Sequence, residues 1–99
     1  MRLDDAQRDA IRGEVRAAFG PVAVVRLFGS RCFDAAKGGD VDLLVEVPEP
    51  VPDPAWRTAW LEARLMRRLG GRRVDVLLAA PNLDEQPIHA LARDQGLRL

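Results

Sequence analysis

Acidic and apolar residues alternate over residues 40–47, DVDLLVEV, and this alternation constrains the fold more than any other feature of the chain. Side chains alternate across a β-strand, so Val41 and Leu43 share one face and Asp40 and Asp42 share the other. The pattern predicts a strand with one buried face and two neighbouring carboxylates at its start. Strand pairing does not require acids at this spacing, so the two aspartates indicate a chemical role.

The remaining apolar patterns predict a small layered fold. Strands are predicted at 22–28, 40–47, 73–79 and, as a short edge strand, 97–99, and helices at 4–19, 54–69 and 87–94, with one or two helical turns over 30–37. Asp4 with Gln7 forms a capping-box pattern, and Asp53 before Pro54 predicts a capped second helix. The order predicts an α/β (α+β) fold, with a three- to four-stranded mixed sheet and helices packed mainly on one face.

Bulk composition limits the classes of function. The 99 residues predict one domain over 1–99, and the formal net charge of +0 gives no global attraction to nucleic acid or membrane. One cysteine, Cys32, excludes an internal disulfide and suits a reducing compartment. No apolar run is long enough to span a bilayer, and the charged N-terminal segment lacks the apolar stretch of a signal peptide. We therefore expect a cytoplasmic protein.

A third acid lies inside an apolar strand. Asp75 stands within VDVLL, where a carboxylate is costly unless it is paired, exposed or metal-bound. If this strand lies beside the 40–47 strand, Asp75 joins Asp40 and Asp42. A divalent cation relieves the repulsion between such carboxylates, and their hard oxygens favour Mg²⁺ or Mn²⁺ over zinc. Three carboxylates on neighbouring strands predict a two-metal platform for phosphoryl chemistry.

The pair Gly29-Ser30 follows the first strand and predicts an anion site. Glycine at a strand end allows close approach of a ligand to the backbone. A helix beginning at Ser30 would direct free N–H groups and the serine hydroxyl at a phosphate. Arg31 and Lys37 are close enough in sequence to contribute positive charge. The sequence therefore predicts nucleotide-binding residues at Gly29, Ser30, Arg31 and Lys37.

These segments resemble a known family. LFGS, then GGDVDLLVE, then VDVLL is similar to the minimal nucleotidyltransferases of the DNA polymerase β-like superfamily, and the likeness covers essentially the whole chain. Gly29, Ser30, Asp40, Asp42 and Asp75 match the family pattern. The spacer between Ser30 and Asp40 holds nine residues, one fewer than is common, and it ends in a glycine where serine is frequent.

The resemblance implies a fold, a reaction and a partner. It implies a polymerase β-like palm that binds two Mg²⁺ ions (or Mn²⁺) and transfers AMP from ATP to a hydroxyl, with release of pyrophosphate. Asp40 and Asp42 would hold both ions, and Asp75 would hold the catalytic ion and help to lower the pKa of the attacking hydroxyl. The partner it implies is a small helical protein of the HEPN type, encoded nearby, which an antitoxin of this kind adenylylates on a tyrosine.

Alternative readings remain open at this stage. The chain could neutralise its partner by contact alone, and a homodimer is also open. Transfer to a small alcohol or to RNA is disfavoured by the small size and the zero net charge, and direct nucleic-acid binding is not expected. Asp75 could simply pair with Arg72 or Arg73.

For several other side chains the sequence favours a structural role over a catalytic one. The stripe of Trp56, Ala59, Trp60 and Ala63 indicates a core or an interface, and His89 indicates packing or surface. Cys32 reads as a small packing residue. The arginines at 64, 67, 68, 72 and 73 indicate a solvated face or a docking site for an acidic partner or RNA.

Overall fold

Four strands and three helices make up the parts of the chain that the computed structural model describes, residues 3–29 and 40–99. In chain order they are α1 (Asp5–Phe19), β1 (Val24–Phe28), β2 (Val41–Glu46), α2 (Pro54–Arg68), β3 (Val74–Ala79), α3 (Pro87–Gln95) and β4 (Leu97–Arg98). The strands form one sheet in the order β3-β2-β1-β4. β1 runs antiparallel to β2 and β4, and β2 runs parallel to β3. The predicted fold class, a small mixed sheet with helices, is confirmed.

The structure confirms the predicted N-terminal cap of α1 but not that of α2. In α1, Asp4 Oδ1 accepts a hydrogen bond from the Gln7 N–H (2.7 Å), and Gln7 Oε1 accepts one from the Asp4 N–H (2.9 Å). The predicted capping box is therefore confirmed. Asp53 precedes α2, but its side chain makes no capping hydrogen bond, so its predicted role was wrong. Its backbone is left-handed (φ 49°, ψ 54°), not the extended conformation that directs a capping side chain at the helix.

One face of the sheet is covered by α1 and α2, and this layer forms the main core. Its buried residues are Ile11, Val15, Ala18, Val25, Leu27, Val41, Leu43, Val45, Val47, Val51, Leu61, Leu65, Leu69, Val74 and Leu78. The predicted buried face of β2 is confirmed, because Val41, Leu43 and Val45 are all buried in this cluster, but Leu44 is also fully buried on the opposite face. Fully burying a side chain of this size contributes about 1.5–3 kcal/mol.

The tryptophan stripe of α2 belongs to this core only in part, because Trp60 is partly buried against it while Trp56 is exposed. Leu61 and Leu65 occupy the buried face, while Trp56 is 67% exposed and Trp60 is half-buried. The helix can bury one face only, and the longer leucine series fills the space above the sheet. The interpretation of the tryptophans as core residues was therefore wrong for Trp56, for which the interpretation as an interface residue remains.

The other face of the sheet carries Asp42, Leu44 and Glu46 from β2, and α3 packs on part of it. Arg93 of α3 donates from Nε to Glu46 Oε2 (2.7 Å), and a Cβ built at Gly96 would lie 3.1 Å from Cβ of Arg26. These contacts place α3 towards the Glu46 end of β2.

His89 of α3 is buried, which confirms the packing reading. Its Nδ1 accepts from the Gln86 N–H (2.9 Å), so Nε2 carries the proton and donates to the Leu78 carbonyl (2.9 Å). The imidazole thereby ties the start of α3 to β3. No helix in the described ranges is long and apolar enough to cross a membrane.

A buried carboxylate joins the two core helices. Glu14 of α1 is 3% exposed and accepts hydrogen bonds from Arg64 Nε (3.1 Å) and Nη2 (3.2 Å) and from Arg68 Nη1 (2.9 Å). The hydrogen bond from Arg64 lowers the pKa of Glu14 below its usual value near 4.5. Burial opposes this effect, and the charge of Arg64, together with the hydrogen bond and charge of Arg68, lowers the pKa further. Two arginines of the predicted cluster are thus structural.

Glu14→Gln tests this contact. The variant removes the charge and leaves both arginines short of an acceptor, so we expect a loss of about 1–2 kcal/mol of unfolding free energy at pH 7, moderated by the partial exposure of the arginines. The folded pKa lies below the unfolded one, so the stabilisation is complete above about pH 4.5 and is lost as pH falls through the folded pKa.

The measurement is urea unfolding of both forms from pH 7 down to pH 3, with Asp9→Asn, an exposed acid of the same helix, as the control. The wild type should converge on Glu14→Gln in acid, and Asp9→Asn should stay close to the wild type throughout. A gap between wild type and Glu14→Gln that stays constant with pH would contradict this account.

Candidate active site

Asp42 and Asp75 lie opposite each other on the neighbouring parallel strands β2 and β3. Opposite residues of a ladder direct their side chains to the same face, and here that face is the one not covered by α1 and α2. The expectation that the 73–79 strand lies beside the 40–47 strand is thus confirmed. The structure brings these two acids together on one face of the sheet, and both are half-buried.

Gly29 places backbone directly against the Asp42 carboxylate. Phe28 is the cross-strand partner of Asp42, and Gly29 follows it with φ +78°, a conformation that favours glycine. A Cβ at this position would lie 2.7 Å from Oδ2 of Asp42. Glycine is therefore required both by the turn and by the close approach of the carboxylate. The other predicted nucleotide-binding residues, Ser30, Arg31 and Lys37, lie outside the described residues, as do Cys32 and the predicted 30–37 helical turns.

Asp40 is exposed and precedes β2 by one residue. It lies two positions before Asp42. The N–H of the next residue, Val41, donates to the Arg73 carbonyl (2.8 Å), so the pairing of β2 and β3 continues to the start of β2, beside Asp40. Across residues 3–29 and 40–99, no three or more His, Cys, Asp or Glu side chains are grouped closely enough to hold a metal ion. The predicted triad is thus represented by one close pair, Asp42 with Asp75, and by Asp40 at the edge.

A surface ion pair occupies one side of Asp75. Arg73 Nε lies 3.4 Å from Asp75 Oδ1, and the two side chains are 69% and 47% exposed. The alternative reading of Asp75 as an acid paired with Arg72 or Arg73 is therefore confirmed for Arg73. An exposed pair of this kind is worth about 0–1 kcal/mol, so a divalent cation can replace the arginine at little cost.

The donor set fits Mg²⁺ in its chemistry. Among the described residues, Asp42 and Asp75 offer carboxylate oxygens at this end of the face, and a hard divalent cation prefers such oxygens. The backbone at Gly29 leaves room beside Asp42 that any side chain would take.

Sequence reasoning missed an ion network at the other end of the same face. Glu46 accepts from Arg93 and pairs with Arg26 of β1, and Arg93 Nη2 also donates to Glu85 Oε1 (2.9 Å). The hydrogen bond from Arg93, followed by its charge, lowers the pKa of Glu85. The sequence signal for this network was Arg26, a charged residue inside the apolar segment VVRLF. A buried charge is costly unless it is paired, and this applies to Arg26 as it does to Asp75.

This network adjoins a cavity of about 470 Å³ and fastens α3 over the Glu46 end of the sheet. The side-chain hydrogen bonds of His89 and Arg93 join α3 to the sheet at that end, away from Asp42 and Asp75. Asp42 and Asp75 therefore lie on the part of the face that is away from these hydrogen bonds of α3.

Comparison with known proteins is consistent with this geometry. The family model described as a nucleotidyltransferase domain matches residues 8–94. A chain in the crystal structure of a mutant toxin–antitoxin MntA-HpeT superposes with a TM-score of 0.65 at 20% identity, covering 93% of this chain and 69% of that chain. At this identity the likeness shows a shared fold. The search of curated proteins gives no significant match.

The Gly29→Ala variant distinguishes the two reasons for glycine at this position, which are the positive φ and the close approach of the Asp42 carboxylate. We expect a loss of about 1 kcal/mol of stability from the positive φ, and a displaced Asp42 carboxylate from the contact with the new methyl group. The matched control is Gly70→Ala, whose φ of +73° imposes similar strain but whose Cβ would meet nothing within 4 Å.

Urea unfolding measures the first effect, and the ¹³C resonance of the Asp42 carboxyl group measures the second. Both variants should lose similar stability, and only Gly29→Ala should move that resonance. An unmoved resonance in Gly29→Ala would show that glycine serves the turn alone.

Proposed function

Because the chain belongs to the nucleotidyltransferase domain family, we propose that it transfers AMP from ATP to a hydroxyl group of a protein partner. The observation that carries the proposal is the register of β2 and β3, which sets Asp42 beside Asp75 on the face of the sheet opposite to α1 and α2, with the Gly29 backbone against Asp42. Phosphoryl chemistry of this class depends on carboxylates held by rigid elements, and two paired strands supply that rigidity.

Each predicted residue has an assigned role in this proposal. Asp40, Asp42 and Asp75 would hold two Mg²⁺ ions, or Mn²⁺, while Gly29, Ser30, Arg31 and Lys37 would hold the phosphates of ATP. When bound, the metal ions neutralise charge on the triphosphate and on the departing pyrophosphate. The surrounding fold keeps the carboxylates in place, so that little rearrangement accompanies the reaction.

The transfer itself is a substitution at the α-phosphorus. The acceptor oxygen forms a bond to the α-phosphorus, and the bond from that phosphorus to the oxygen that bridges to the β-phosphate breaks. Pyrophosphate carries away the electron pair of the broken bond. The hydroxyl proton leaves to solvent, and we assign to Asp75 the task of helping this hydroxyl to lose it.

The partner is inferred from the shared fold. The MntA-HpeT structure is that of a toxin–antitoxin pair, and its likeness to this chain supports a role as the antitoxin component. We propose that residues 1–99 act as one nucleotidyltransferase domain in the cytoplasm. The acceptor in this proposal is a tyrosine on a helical, HEPN-type toxin encoded by the adjacent gene.

A second candidate is a contact-only antitoxin. Asp75 is already paired with Arg73, and in the described part of the chain Asp40 does not complete a metal-binding cluster with the other two acids. A chain that kept the fold and lost the transfer chemistry would show these features. This candidate requires that the partner be neutralised without any covalent change.

Asp42→Asn tests the transferase. The purified chain is mixed with the product of the adjacent gene, Mg²⁺ and ATP labelled at the α-phosphate, and label on the partner is measured. We expect Asp42→Asn to lower the rate by about 10²–10³ or more, because a carboxylate that balances charge at the reacting phosphate is removed. Asp84→Asn, the same change at an exposed acid of the loop before α3, should react at the wild-type rate.

Two results would contradict the transferase. One is equal labelling by Asp42→Asn and the wild type. The other is neutralisation of the partner by both forms with no label on it, which would establish the contact-only antitoxin. Thermal unfolding of each variant shows that a lost rate is not a lost fold.

A further inference from the structure

The helix α2 has two apolar faces, and the fold uses one of them. Leu61, Leu65 and Leu69 are buried against the sheet. Trp56, Ala59 and Ala63 follow one another at helical spacing on the opposite side and are exposed. A helix that packs on a sheet needs one apolar face, so the exposed part of this second face is available for contact with another molecule.

We call Trp56, Ala59, Trp60 and Ala63 the tryptophan surface. Trp56 has the highest exposed fraction among the large hydrophobic side chains of the described residues, at 67%. Tryptophan side chains with this exposure are unusual away from binding surfaces, and tryptophan and arginine are the residues that dominate binding energy at protein interfaces.

A cavity of about 240 Å³ lies beside this surface, between α1 and α2. It is lined by Ala17, Ala18, Trp56, Arg57 and Trp60. Arg57 is fixed there, because its Nη1 donates to the Ala18 carbonyl (3.0 Å) and its Nε to the Pro52 carbonyl (2.9 Å). The volume is below that of pockets for drug-sized ligands and suits an apolar side chain inserted by a partner.

The tryptophan surface lies in a basic layer. Helix α1 carries three arginines and three acids, and helix α2 carries four arginines and one acid. Two of these acids are engaged internally, Glu14 by Arg64 and Arg68, and Glu62 by the Val76 N–H (2.8 Å). The whole chain has a net charge of zero, so the remainder carries the compensating negative charge. The tryptophan surface is therefore the apolar centre of a positively charged side of the molecule.

We propose that the tryptophan surface docks an acidic amphipathic helix of a protein partner. Ala59 and Ala63 let a helix approach closely, Trp56 and the cavity receive its apolar side chains, and arginines such as Arg67 face its carboxylates. A second copy of this chain would set arginines against arginines across a twofold axis. Single-stranded RNA requires open ring faces, and Arg64 already lies 5.2 Å from the Trp60 ring centroid.

This docking site is separate from the proposed chemistry. α1 and α2 cover the face of the sheet opposite to Asp42 and Asp75, so a helix bound to α2 leaves those acids accessible. Loss of transfer in Asp42→Asn and loss of docking are therefore independent observations.

The probe is a synthetic amphipathic helical peptide with leucine and phenylalanine on one face and glutamates on its flanks. The same peptide with every glutamate replaced by lysine is the matched control, and a single-stranded poly(U) oligonucleotide is the nucleic-acid control. Titration into the ¹⁵N-labelled full chain follows the indole N–H signals of Trp56 and Trp60. We expect the acidic peptide to shift Trp56 and to bind about tenfold or more tightly than the lysine peptide.

Three variants locate the site. Trp56→Ala should weaken the acidic peptide by about tenfold or more, and Arg67→Glu should weaken it by several-fold. Leu91→Ala, which removes a hydrophobic side chain of comparable exposure from α3, should bind like the wild type. Asp42→Asn should also bind like the wild type.

Several results would overturn the proposal. These are absence of binding by the acidic peptide, equal binding of the lysine peptide, tighter binding of poly(U), or equal weakening by Leu91→Ala. Self-association of the chain that Trp56→Ala abolishes, seen in analytical ultracentrifugation, would assign the surface to a second copy instead.

Discussion

The parallel pairing of β2 with β3 is the constraint on which the rest of the structure depends. The core-facing residues of both strands, such as Val41, Leu43 and Val74, are buried beneath α1 and α2, and strand alternation then forces Asp42 and Asp75 to the other face. A slip of either strand by one residue would turn its aspartate into the core, so the same hydrophobic free energy that folds the sheet also fixes the acids side by side. Stability and site geometry have one origin here.

The two sides of the sheet then acquire different electrostatic characters. On the helical side, Glu14 draws Arg64 and Arg68 inwards, and the other arginines of the layer leave that side positive. On the opposite side, the Arg26–Glu46–Arg93 network holds α3 at one end of the sheet, and Asp42 and Asp75 lie at the other end. A chain with no net charge thereby presents one side whose paired carboxylates suit a divalent cation and another, positive side that suits an acidic partner.

Local pattern was sufficient for the strands and the α1 cap, because alternation and capping are properties of neighbouring residues. It could state the placement of Asp75 beside Asp42 only as a condition, because the pairing of β2 with β3 joins residues that are distant in sequence. It failed for Asp53, whose left-handed backbone is set by the proline-rich connection around it, and for Trp56, because two apolar faces of one helix cannot be ranked from the helix alone. Glu14 and Arg26 were missed because their partners are distant in sequence. Their signal was a charge at an apolar position, the same signal that drew attention to Asp75.

If Asp42 and Asp75 form one cation site, as we propose, a single titration shows it. The ¹³C-labelled chain is titrated with Mn²⁺ in the presence of a non-hydrolysable ATP analogue, and paramagnetic broadening of the carboxyl resonances is measured. We expect the resonances of Asp42 and Asp75 to broaden together at the same low Mn²⁺ concentration, and Asp42→Asn to abolish the broadening at Asp75. Broadening of one without the other, or broadening at Asp84 and Glu85 at the same concentration, would contradict it.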